Sequence, residues 1–491
     1  MTATNNTKAW IITTASVGIV LILAAIFFYN NFFRQTNGPL IETVPPDAAF
    51  VFEINDNEQF VKTSASLMPY LTELFALDGL AGYESFLEKM PRKDGPILVA
   101  GYVNEGKIVP LFSTRMDERY FKSLLKLLQI DPRNNVKFEG YEIYSYGTHY
   151  KDFKFVFHNN VFSASEDVDL LKKSIVQLKY PKGLRNDKSF KQLRALVDKN
   201  VKQNWLLMNP SKYAEFLKTK SDDNLDGFID ALADLTSWSA YQVRFSDVEI
   251  FLSGYLDTEN PYVQQFVKGV ASSDFPQRVV PITAQAVTIV DDENYRQLAQ
   301  EWEKTGGEEA GSCYRLAPIQ SVFFSLPGDS CYYHYCAVKI DTTVASFASF
   351  FADSLNVDSI QKNTPKSVFN CLAVDYASNL SYLFRNDEYH CMMPVKDGFL
   401  LADTATTLEY YKKLMKNTNY LENGNLYKFV ASNTPSDAVC TFYFFNQNDY
   451  LKNKMEHDAA RKSSLNDLKA FSFSFAAPTQ KIVGSNVYLK F

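Results

Sequence analysis

The segment with the most explicit chemistry in this chain is Asp222-Asp223-Asn224-Leu225-Asp226-Gly227-Phe228-Ile229-Asp230. It reads as the first nine positions of a twelve-position calcium loop. Asp222, Asn224 and Asp226 place side-chain oxygens at positions one, three and five, and Gly227 permits the sharp turn at six. Phe228 would offer its carbonyl, and Asp230 falls at nine. The pattern then breaks, because position twelve needs a bidentate acid and holds Ala233. The competing reading is an acidic turn whose Asp and Asn side chains cap the next helix. With two oxygens missing, the sequence supports at most a weak calcium site and favours the cap; no other cofactor is expected.

A second set of reactive groups lies late in the chain. All six cysteines (Cys313, Cys331, Cys336, Cys371, Cys391 and Cys440) fall after residue 300. An even number permits disulfides in an exported protein, and buried free thiols are the alternative. His334 and Cys336 alternate onto one strand face, and His390 precedes Cys391, so a zinc site can be drawn. It lacks the paired C-x-x-C spacing of structural zinc sites. The sequence holds no G-x-S-x-G, H-E-x-x-H, G-x-x-x-x-G-K-[ST] or G-x-G-x-x-G, the signatures of common hydrolase, metalloprotease and nucleotide sites.

The elements that would position these groups come in two similar series. Val44, Pro45, Ala48, Val51 and Asp56 fall at one offset on Val280, Pro281, Ala284, Val287 and Asp292. Each series continues with a hairpin, turned at Asn104-Glu105-Gly106 and at Pro327-Gly328-Asp329, where glycine supplies a positive φ. A helix follows each hairpin, behind Asp117 with Phe121, Leu124 and Leu128, and behind Asp341 with Val344, Phe347 and Phe351. Further hairpins turn at Asn159-Asn160 and Asp397-Gly398. Ser165 and Asp403 stand where N-caps belong, with Leu170 and Leu408 inside the helices. Trp238 to Leu256 matches Phe471 to Leu489 as a closing pair of strands. The expected fold class is α+β: two tandem homologous lobes, 44–279 and 280–491, each a mainly antiparallel sheet packed with helices. The stretch from Thr63 to Met90 has no convincing counterpart.

Ahead of the lobes, Ala9 to Tyr29 runs 21 residues without a charge. As a helix it spans about 30 Å, the thickness of a bilayer's hydrocarbon, and Trp10 and Tyr29 sit at interfacial depth. The run is longer than the apolar region of a signal peptide and lacks a small-residue cleavage site. The expectation is a cytoplasmic tail over 1–8, a transmembrane helix over 9–29 and a tether over 30–43. Lys8 and the free amine hold the tail inside, so the bulk lies outside.

Across 491 residues the net charge is −6, and no basic run exceeds two residues, so no nucleic-acid partner is expected. The 39 Phe and 29 Tyr are unusually many. Strand-like alternation assigns most of them to sheet faces and cores, with an aromatic-lined groove as the sharper alternative.

The anchor, the Val-Pro openings, the glycine-turned hairpins and the closing strands from Trp238 resemble single-pass bacterial envelope proteins with duplicated extracytoplasmic domains of unknown function. The resemblance covers most of residues 44–491. It implies a bacterial inner membrane with the bulk of the chain periplasmic, and it transfers no catalytic residue. The function expected is a membrane-anchored binding or scaffold protein whose partner is a protein or an envelope polymer. The alternatives are an envelope hydrolase with a carboxylate or Cys site between the lobes, and a carrier or chaperone for lipids or exported chains.

Overall fold

The computed structural model describes residues 40–55, 60, 63, 65–75, 96–130, 135–147, 152–180, 183–197, 203–219, 229–230, 233–258, 264, 274–291, 318–328, 332–340, 391–446, 468–477, 479 and 481–491. The run at 9–29 lies outside them, and among the described residues no helix is long and apolar enough to cross a membrane. The fold is mixed α and β, with helices on both faces of one large antiparallel sheet.

Ten strands come from the first part of the chain: β1 (Phe50–Ile54), β2 (Ile97–Asn104), β3 (Lys107–Arg115), β4 (Val136–Phe138), β5 (Tyr141–Gly147), β6 (Asp152–His158), β7 (Val161–Ser165), β8 (Trp205–Met208), β9 (Trp238–Ser246) and β10 (Glu249–Asp257). The second part supplies β11 (Ala286–Asp291), β12 (Pro318–Pro327), β13 (Tyr332–Ile340), β14 (Cys391–Val395), β15 (Gly398–Ala402), β16 (Ala438–Phe445), β17 (Ala470–Ala476) and β18 (Ile482–Lys490). Across the sheet the first series lies in the order β4-β5-β6-β7-β3-β2-β1-β8-β9-β10. The second lies in the order β18-β17-β16-β11-β12-β13-β15-β14. The two join where β10 pairs with β18. From β6 inward to β10 and from β14 inward to β18, the chain takes the same route through the sheet.

Local chemistry sets the tight turns. Glu105 and Gly106 both take positive φ between β2 and β3, and Asn159 and Asn160 do so between β6 and β7. That pair of conformations gives the hairpin twist that matches the strands. The Asn159-Asn160 turn and the turn at Asp397 fall where the sequence places them.

Side chains alternate between two faces. On one face a single core runs through the whole sheet. It takes in Phe50, Phe52, Phe112 and Phe155 from the first series and Phe323, Val338, Phe473 and Phe475 from the second. Helices α1 (Met68–Phe75), α2 (Glu118–Leu127) and α5 (Pro210–Lys218) cover its first part, with Phe75, Phe121, Tyr213 and Phe216 inserted. On the other face the packing divides. Helices α3 (Val168–Lys179) and α4 (Lys188–Val197) bury Leu171, Ile175, Phe190 and Leu193 over Val51, Leu207 and Trp238. Helices α6 (Phe275–Val279), α7 (Ala405–Met415) and α8 (Asn425–Ala431) bury Val279, Leu408, Tyr427 and Val430 over Val287, Phe324 and Tyr443.

Two sequence assignments need correction. The N-caps are Asp167, whose carboxylate accepts from the Asp169 and Leu170 amides, and Thr404, whose hydroxyl accepts from the Thr407 amide. Ser165 instead donates to the Pro110 carbonyl, and Asp403 takes the Thr407 hydroxyl. The ladders also place Ala470, not Phe471, in the position of Trp238: both open a strand and both point to the divided face. The connection after β17 carries an extra residue, and a slip of one residue moves a side chain to the opposite face.

Asp187 shows how one side chain serves two elements. One carboxylate oxygen accepts from the Phe190 amide at 2.9 Å in the first turn of α4, and the other accepts from the Trp238 indole at 3.2 Å. The Phe190 and Trp238 rings then meet edge to face at 5.0 Å. Nearby, Arg194 of α4 pairs with Glu53 of β1, both side chains largely buried. Leaving one such charge unpaired is costly. Glu53→Leu alone is expected to lower stability by about 3 kcal/mol, and Glu53→Leu with Arg194→Leu to recover most of it. Denaturant titration measures both.

His158 ends β6 inside the divided face, 3% exposed and edge-on to Tyr141 at 4.7 Å. Burial pushes its pKa down to about 4. The unfolded chain therefore takes up a proton, near pH 6.5, that the folded chain refuses until about pH 4. This contribution is intact above pH 6.5 and is lost progressively as pH falls towards 4, by about 3 kcal/mol in all. His158→Phe is expected to flatten that part of the pH–stability curve, read by urea titration between pH 4.5 and 7.5.

Candidate functional site

The calcium loop is only partly placed. Asp222, Asn224, Asp226 and Phe228 lie outside the described residues. Asp230 is ion-paired with Lys218 of α5. Ile229 and Ala233 pack on Ala214. Among the described residues no three His, Cys, Asp or Glu side chains gather as a metal site.

The cysteines separate in the same way. Cys336, Cys391 and Cys440 are buried. Cys336 and Cys440 enter the continuous core, whereas Cys391 enters the divided face. Cys336 and Cys391 are thus on opposite sides of the sheet and cannot bind one zinc ion. Burial pushes the Cys440 thiol well above its ordinary pKa, which suppresses the nucleophilic thiolate. Cys313, Cys331, Cys371 and His390 lie outside the described residues.

A cleft of about 420 Å³ lies where the two strand series meet. It opens on the divided face, between the helix layers of the two series. The ladders align two transverse rows on that face: Arg244, Phe251, Tyr488 and Ser472, then Gln242, Ser253, Asn486 and Ser474. All but Gln242 line the cleft, and Asn433, just past α8, covers one side. Phe251 and Tyr488 meet at 4.9 Å between ring centres.

The seam itself is firmly held. Lys490 bridges to Glu249 across it at 2.8 Å and lies over the Phe429 ring at 4.0 Å. Burial, reinforced by the Glu249 carboxylate, holds the Tyr488 phenol well above its ordinary pKa, so it keeps its proton. On the reverse side Tyr241 and Ser485 share a hydrogen bond at 3.3 Å, and burial raises the Tyr241 pKa to about 12. Arg244 is exposed at the rim and has no ion pair among the described residues. Chemically the cleft offers one guanidinium, three serine hydroxyls, two carboxamides and an aromatic floor.

Sequence patterns do not single out these residues. A signal is present in Phe471-Ser472-Phe473-Ser474-Phe475, where strict alternation sends phenylalanines into the core and serines to the opposite face. What that face meets depends on β10, more than 200 residues earlier in the chain.

No family model matches the chain, and no curated protein matches it. Among solved structures, crystal form I of TP0453 aligns over 77% of this chain and 98% of its own, at 7% identity and a TM-score of 0.24. Crystal forms III and IV align over 81% of this chain at 8% and 9% identity, covering 99% and 98% of their own chains, with TM-scores of 0.19 and 0.20. Likeness at this level carries no argument, so the reading of the site rests on its own geometry.

Gly254 lies at the seam, in β10. A Cβ there would stand 1.9 Å from the Ala240 carbonyl oxygen of β9, and backbone cannot yield as a flexible side chain does. Gly254→Ala is expected to cost at least about 2 kcal/mol through forced separation of the strands. A lowered midpoint in thermal and denaturant unfolding would register it.

Proposed function

We propose that this protein is a membrane-anchored binding or scaffold protein of the bacterial cell envelope. In this reading residues 9–29 span the inner membrane, and two tandem copies of one α+β lobe, 44–279 and 280–491, stand on the periplasmic side. The uncharged run and its flanking aromatics support the anchor. The common route of the two strand series through the sheet supports the duplication.

The β10–β18 ladder adds a more specific argument for two copies. Its nine pairs centre on Ser253 opposite Asn486. Matching Tyr255-Leu256 with Tyr488-Leu489 makes Ser253 and Asn486 counterparts, so the central pair is its own image. Phe251 opposite Tyr488 then exchanges with Gly484 opposite Tyr255. Self-matching of this kind belongs to two-fold interfaces between identical units.

The observation that carries the binding reading is the cleft at this junction, within the size range of ligand sites, about 300–1,000 Å³. Its lining of hydrogen-bonding groups beside an aromatic floor supports recognition, and the described residues that line it include no carboxylate pair or thiol.

A photo-crosslinking residue at Asn433, at the mouth of the cleft, tests the proposal in intact cells. The protein is expected in the inner-membrane fraction, digestible by protease added to spheroplasts, with a discrete crosslinked partner identified by mass spectrometry. Fractionation with the cytosol, or crosslinking that yields no discrete product, would overturn it.

A further inference from the structure

The cleft's lining narrows the chemistry of its ligand. Arg244 is the one cationic side chain among the described residues that line it. Nearby on the same face, Lys490 and Glu249 pair with each other at 2.8 Å, and the guanidinium supplies the charge within the described lining. Its planar fork matches a carboxylate through two parallel hydrogen bonds. The rest of the wall is uncharged: Ser253, Ser472, Ser474, Asn433 and Asn486 supply short hydroxyl and carboxamide groups that both donate and accept. The Phe251 ring, half-buried, presents a flat apolar surface beside them.

A ligand that uses all three features has a carboxylate, several hydroxyls and an apolar face of ring C–H groups. We infer that the seam cleft binds a carboxylated sugar, a free sugar acid or such a unit within a polymer. The carboxylate meets Arg244, the ring lies against Phe251, and its hydroxyls reach the serine and asparagine rows. Simple anions engage only the guanidinium, and neutral sugars forgo it. The inference rests on the proposed binding function and specifies what enters its site.

Four probes on the solubilised full-length protein test this by isothermal titration: glucuronate, glucose, acetate and inorganic phosphate. Glucuronate is expected to bind at least tenfold more tightly than each of the other three. Arg244→Gln should weaken glucuronate at least tenfold and leave the weak glucose affinity and the melting temperature unchanged, since Arg244 is exposed. Ser474→Ala should weaken glucuronate and glucose alike. Equal affinity for glucose and glucuronate, full displacement of glucuronate by equimolar phosphate, or an unaffected Arg244→Gln would overturn the assignment. If none of the four binds while the Asn433 crosslink still captures a partner, the ligand class is wrong and the binding reading stands. Sugar-acid binding without a captured partner would do the opposite, upholding the ligand class and removing the macromolecular partner.

Discussion

The antiparallel ladder between β10 and β18 is the constraint on which the other features depend. Nine consecutive residue pairs close two strand edges against each other. Either edge left open would present a row of unpaired backbone groups, the usual start of aggregation. Once the edges are joined, one face of the sheet becomes a single apolar surface from Phe50 to Phe475, and one core covers it. On the opposite face the helices belong separately to each strand series, so the same junction leaves a gap above it. Continuity below and division above follow from one pairing.

Polar groups are placed to make that junction specific. Glu249 and Lys490 face each other from opposite strands, and the ammonium also rests on Phe429 of α8. The C-terminal Phe491 stacks on Tyr70 at 3.9 Å, while the Val248 carbonyl accepts its amide. These contacts tie the end of the chain to its first third. Within the first series, Asp187, Trp238, Glu53 and Arg194 fix α4 to the sheet in the same manner, by satisfying buried polar groups where an apolar contact would leave register free.

Much of the architecture is legible in the sequence because its signals are local. Period-two alternation marks the strands, and Glu105-Gly106 and Asn159-Asn160 mark turns whose positive φ values the backbone adopts. The N-caps fall one or two residues from where spacing puts them because several Ser, Thr and Asp side chains compete within one turn. Trp238 aligns one residue away from its positional equivalent because an insertion in a turn is invisible until strands pair. The cleft is hidden for a different reason: Arg244, Ser253, Ser474 and Asn486 become neighbours only through a contact that closes a loop of over 200 residues, and no short-range pattern encodes it. Of the acidic segment at 222–230, the most conspicuous motif in the sequence, the described Asp230 pairs with Lys218.

The cleft does not sit on the centre of the ladder. It lies toward Arg244, Phe251 and Tyr488, and the positions that mirror them across Ser253 and Asn486 are Ala476, Gly484 and Tyr255. A guanidinium and two aromatic rings on one flank have an alanine, a glycine and one tyrosine as their counterparts on the other. Near-symmetric strands thus frame an asymmetric recess, and a long molecule laid across the midline would meet the guanidinium before the midline in one direction and after it in the other.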